Sequence, residues 1–147
     1  MRRMSGLYNI IEHIPIGLRP FGLKCVFICY INYSRKLPKV FISPTEEAKM
    51  IFLMDNELSR LPERPNCPKL LALFLQRNHH LRMIPSPFFD LMPFLKVLNL
   101  SKTRIKSLPK SLSKVMNLEV LILRDCECLV LLPSDVGSLR RLEVLDL

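Results

Sequence analysis

Between Leu95 and Pro109 the apolar residues fall at Leu95, Leu98, Leu100, Ile105 and Leu108, a spacing that suits neither a single helix face nor a single strand. The same frame returns at Leu70, Leu73, Leu75, Asn78, Leu81, Ile84 and Pro85, with one extra residue inside, and at Leu118, Leu121, Leu123, Cys126, Leu129, Leu132 and Pro133. A looser copy runs through Ala48, Ile51, Leu53, Asn56, Leu58, Leu61 and Pro62, and a fifth opens at Leu142, Leu145 and Leu147. The starts at 48, 70, 95, 118 and 142 give periods of 22, 25, 23 and 24 residues. A chain built this way cannot collapse around one centre; each unit has to be buried by the next.

The LxL core of each frame alternates apolar and variable positions, the pattern of a short strand with one buried face. Copies of 20–29 residues carrying LxxLxLxxN/C are leucine-rich repeats. The expected fold is therefore an α/β solenoid: a leucine-rich-repeat horseshoe with a parallel concave sheet and short helical or irregular convex segments. Asn56, Asn78, Thr103 and Cys126 fall where the chain turns off the strand, and their side chains are expected to bond backbone groups that the turn leaves unpaired. Pro62, Pro85, Pro109 and Pro133 lack an N–H and cannot continue a ladder, so each marks the crossing to the convex side, where SLSKVMNL and SDVGSLRRL read as short helical or 3-10 turns. Burying about six apolar side chains per unit yields roughly 12 kcal/mol. Ordering one unit costs on the order of 25–45 kcal/mol of backbone entropy, so stacking is obligatory.

Charge divides the chain of 147 residues. Residues 1–45 hold seven Lys/Arg against one Glu, whereas residues 46–147 hold fifteen against twelve acids, so +6 of the net +9 belongs to the first segment. The expected organisation is an unassigned basic N-terminal segment, 1–36, followed by a repeat domain, 37–147. In the first part the apolar run Cys25–Ile31 is too short to cross a bilayer and suits a buried strand or a cap. TEEAK suits a short helix capped by Thr45. No transmembrane segment and no direct nucleic-acid contact are expected, because no RNA-binding signature accompanies the basic charge. Four glycines, none clustered, and the absence of any phosphate-loop or nucleophile-elbow motif argue against an enzyme and against a cofactor. Five cysteines form no zinc spacing, so no metal is expected and reduced thiols in a reducing compartment fit better. His79 and His80 read as a solvent-facing turn.

The phrases LMDNELSRLPE, CPKLLALFLQRN, FFDLMPFLKVLNLS and LPSDVGSLRRLEVLDL resemble the start of the repeat domain in plant nucleotide-binding leucine-rich-repeat disease-resistance proteins of the coiled-coil class. The resemblance covers about residues 37–147. It implies a non-catalytic protein-recognition module of plant innate immunity, sensing a pathogen effector or a guarded host protein, or contacting a nucleotide-binding domain of a longer chain. Residues 1–36 match none of that upstream domain, so its nucleotide switching does not transfer, and the chain reads as a truncated resistance protein. The segments LRMIP, IKSLP and LVLLP lack the glycine of the LxGxIP form usual in plant cell-surface receptors, which by resemblance points to the cytoplasm. The alternatives are a stand-alone intracellular repeat scaffold joining signalling proteins, such as a small GTPase and its kinase, or a non-functional remnant.

Side chains between and after the buried leucines are expected on the concave face. In the first two units these are Phe52, with Met54 beside it, then Phe74, Gln76 and Arg77. In the next two they are Asn99, Ser101 and Lys102, then Ile122, Arg124 and Asp125. An apolar Phe52–Phe74 step flanked by charge suits a protein partner; cover over Phe52 and Phe74 by the N-terminal segment or by an upstream domain suits them equally. The last unit stops at its strand, so an open sheet edge and an unsealed apolar cross-section are expected there.

Overall fold

The computed structural model describes Glu46, residues 48–130 and residues 132–147. Expectations about residues 1–36, the Cys25–Ile31 run and the Thr45 cap lie outside the described residues. Five strands, β1 (Met50–Phe52), β2 (Ala72–Phe74), β3 (Val97–Asn99), β4 (Val120–Ile122) and β5 (Val144–Asp146), form one parallel sheet in sequence order. Each is three residues long and is centred on the first leucine or isoleucine of the LxL core, and the first four are buried on both faces. The register is in frame throughout: Ile51, Leu73, Leu98, Leu121 and Leu145 align across the sheet. This is a leucine-rich-repeat solenoid.

The central leucine column points into the main core, with Leu53, Leu75, Leu100 and Leu123 following it after the strands. The opposite, concave face carries a second apolar layer of Met50, Phe52, Ala72, Phe74, Val97, Val120 and Ile122. Two 3-10 helices, Lys110–Lys114 and Ser134–Ser138, begin directly after Pro109 and Pro133, well past the strand ends at Asn99 and Ile122. The longest unit uses its extra length to fill the convex side. Phe88 and Phe89 pack edge to face at 4.9 Å, both buried. The Phe89 N–H donates to Ser111 Oγ of the next unit at 3.3 Å.

Asn78 ties two units together. Its Oδ1 accepts from the backbone N–H groups of Asn56 (3.2 Å) and Leu58 (3.0 Å). Its Nδ2 donates to the carbonyls of Leu53 (2.9 Å) and Leu75 (2.7 Å). Later units keep part of this. Thr103 Oγ1 donates to Leu100 O at 2.8 Å, and Cys126 Sγ donates to the same carbonyl at 3.1 Å.

Immediately before each of these ladder residues the backbone enters the left-handed region: Asp55 (φ 58°), Arg77 (φ 63°), Lys102 (φ 57°) and Asp125 (φ 58°). None is glycine. The turn is held from outside by bonds between units, in which Asp55, Arg77 and Lys102 donate their N–H to Gln76 O (3.2 Å), Ser101 O (2.9 Å) and Arg124 O (2.9 Å). Lys102→Ile, β-branched at positive φ, should cost about 1–2 kcal/mol, whereas Lys102→Gly should change stability by less than about 1 kcal/mol. Urea unfolding midpoints of the two variants measure the contrast.

On the convex side Asp90 clamps three units. It pairs with Arg64 (2.8 Å) from the preceding unit and Lys114 (2.9 Å) from the following one. The hydrogen bonds from Arg64 and then Lys114 hold its carboxyl below the usual 3.8. Protonation is therefore harder in the folded chain. The clamp's contribution is fully present above the unfolded-state pKa and is lost as the pH falls through the lower folded-state value. Asp90→Asn should remove that part of the acid destabilisation, so the wild-type and variant stabilities converge as the pH is lowered below about 4. Unfolding midpoints measured from pH 6 downward test this.

Burial fades at the C-terminal end. Leu121 is fully buried, but Leu145 in the same column is 40% exposed and Leu147 67%. Leu123, Leu129, Leu132 and Leu147 line an open recess of about 410 Å³ there.

Candidate recognition surface

The residues expected on the concave face divide into two sets. Phe52 and Phe74 stack with ring centroids 4.8 Å apart and planes 4° apart. Both are buried, as are Ile122, Gln76 and Asn99. Asn99 Oδ1 accepts from the Ser101 N–H at 3.0 Å and from Ser101 Oγ at 2.8 Å, which fixes the half-buried serine. Gln76 Oε1 is buried with no hydrogen-bond partner among the described residues.

The second set is exposed: Arg77, Lys102, Arg124 and Asp125. These sit at or beside the left-handed turns, where the strand has ended and the side chain projects past the sheet. They pair laterally across units. Arg77 Nε meets Asp55 Oδ1 at 2.8 Å, Lys102 Nζ meets Asp125 Oδ2 at 3.9 Å and Arg124 meets Asp146 Oδ2 at 3.1 Å. Asp55 and Asp146 were not among the expected surface residues, although Asp55 holds the frame position of Arg77 and shows the same turn. Pairs this exposed contribute well under 1 kcal/mol each and are screened by salt. Together they lay a defined charge pattern along a rim beside the sheet.

Among the described residues no group of three or more His, Cys, Asp and Glu side chains could hold a metal ion. No helix among them is long and apolar enough to cross a membrane.

No protein-family model matches the chain. Disease resistance protein At4g27190 of Arabidopsis thaliana is 45% identical over 102 residues, 67% of this chain and 10% of that protein. Disease resistance protein SUMM2, from the same plant, is 38% identical over 88 residues, 59% of this chain and 10% of its own length. Its relatives are plant disease resistance proteins. A third of these, RPS5 of Arabidopsis thaliana, is 33% identical over 125 residues, 84% of this chain and 14% of that one. The chain thus spans about a tenth of the length of the disease resistance proteins it matches. Among solved structures, a plant peptide hormone receptor, RGFR1 in complex with RGF2, superposes with a TM-score of 0.51 at 23% identity, covering 69% of this chain and 20% of that one. That likeness is one of fold.

Proposed function

We propose that the chain is a non-catalytic protein-recognition segment of plant defence, acting inside the cell, and that its partner is a protein: a pathogen effector, a guarded host protein or a signalling component. The homology to disease resistance proteins carries this reading. The form of the surface supports it: charged side chains at fixed intervals on a register of parallel strands can discriminate partners by charge. Contact with a nucleotide-binding domain belongs to the same reading if the chain continues upstream.

The test is genetic and biochemical together. In the plant that encodes the chain, the gene is silenced and then restored either as wild type or with Arg77→Glu, Lys102→Glu and Arg124→Glu combined. The expected result is a weakened pathogen response on silencing, recovered by the wild type and not by the charge-reversed chain, with both proteins folded and equally abundant. Recovery by both would remove the rim from the account. An unchanged response on silencing would remove the defence role.

A further inference from the structure

The four turn loops that leave the sheet carry a charge order that the repeat frame does not require. At the left-handed position the residues read Asp55, Arg77, Lys102, Asp125, and just after the ladder residue they read Glu57, His79, Arg104, Glu127, so in both columns the acids stand only at the two ends. One step further along, Arg82 and Lys106 occupy equivalent positions after the buried Leu81 and Ile105. The loops of the second and third units are direct neighbours, since the Arg104 N–H donates to Leu81 O at 3.0 Å and the Lys106 N–H to Arg82 O at 3.3 Å. Arg82, Arg104 and Lys106 are exposed and form no ion pair with any described residue. Residues 77–85 and 102–109 contain no Asp or Glu. Met83, 71% exposed, adjoins Arg82, and Val130, 80% exposed, is bonded through its N–H to Lys106 O at 3.4 Å.

We infer that this flank of the solenoid, centred on Arg82, Arg104 and Lys106, is a docking site for an extended acidic segment of a separate protein carrying apolar side chains among its carboxylates. The inference rests on the recognition role proposed above and moves part of it off the concave face. The patch is two strands wide, about 5 Å between neighbouring backbones, and about five residues long, roughly 15 Å. That is the footprint of one short peptide lying parallel to the loops. Asp55 and Glu57 on one side and Asp125 and Glu127 on the other bound its end nearer the sheet, while Val130 lies beside Lys106. A phosphate backbone running across the units would meet these acids, which disfavours nucleic acid and leaves a carboxylate-bearing peptide between the two acidic borders. Met83 and Val130 supply the apolar contacts that a carboxylate cluster alone would not use.

The probe is a fluorescein-labelled Asp-Leu-Asp-Glu-Leu-Asp peptide, read by anisotropy against the 147-residue chain, with the Asn/Gln counterpart, an eight-nucleotide single-stranded RNA and phosphatidylserine vesicles as comparators. Binding of the acidic peptide alone is expected, weakening as salt is raised. A loss of about tenfold or more is expected in Arg82→Glu/Lys106→Glu, with no change in Arg140→Glu, an exposed cation outside the patch. The neutral pair Arg82→Gln/Lys106→Gln should show a smaller loss and guards against a folding defect. Equal binding by all variants, no binding, or tighter binding of RNA or vesicles would overturn the site. If instead binding falls only on reversal of Arg77 and Arg124, the flank site fails while protein recognition stands.

Discussion

Asn78→Ala should be the most destabilising polar substitution among the described residues, by about 3–5 kcal/mol. The side chain is fully buried and makes four hydrogen bonds, two as acceptor and two as donor, to backbone groups of two units. Alanine leaves all four backbone groups without the partner that Asn78 supplies, in a fully buried site. A domain of this size has about 5–15 kcal/mol in total. With an m-value of about 1–3 kcal/mol/M, the urea midpoint should fall by roughly 1–5 M. Asn78→Thr is the discriminating control. The chain already uses threonine at position 103, where the hydroxyl serves one carbonyl. The threonine variant should therefore recover a part of the loss. Equal damage from alanine and threonine would show that the bonds between units are not what stabilises this turn.

Leu98→Ala and Leu145→Ala remove the same atoms from the same column and should differ by about 2 kcal/mol or more. Leu98 is fully buried between Leu73 and Leu121, also fully buried, so its loss combines lost transfer energy with a cavity and should cost about 3–4 kcal/mol. Leu145 meets solvent over 40% of its surface and, among the described residues, pairs on one side only, so its truncation should cost about 1 kcal/mol or less in the 147-residue chain. Paired unfolding curves measure this directly. Similar losses at the two sites would mean that the end of the sheet is sealed in solution by association of chains, which sedimentation at two concentrations would then reveal.

Leu98 and Asn78 were legible in the sequence because the repeat frame places them: period fixes the strand, and the strand fixes what lies inside. The same frame set Phe74 and Arg77 on one surface, yet one is buried and the other exposed. Position along a frame tells which face a side chain leaves from; it does not tell how near solvent comes to that face. The lateral Asp55–Arg77 pair was within reach, since both occupy the residue before the ladder position in neighbouring units. The Asp90 clamp was not. Asp90 and Lys114 each lie five residues past a repeat proline, but Arg64 lies only two past Pro62, on a convex segment of different length, so the frame does not bring it into line with them.

The left-handed residues carry a consequence for how such a surface changes over time. Asp55 and Arg77 adopt almost the same φ with opposite charges, and neither needs its side chain to hold the turn, because the bonds that fix it come from backbone atoms. A mutation from acid to base at such a place rewrites what the surface offers and leaves the scaffold untouched. Selection can then act on partner choice one residue at a time without first having to restore the fold, the freedom a protein needs when the molecules it must recognise are themselves changing.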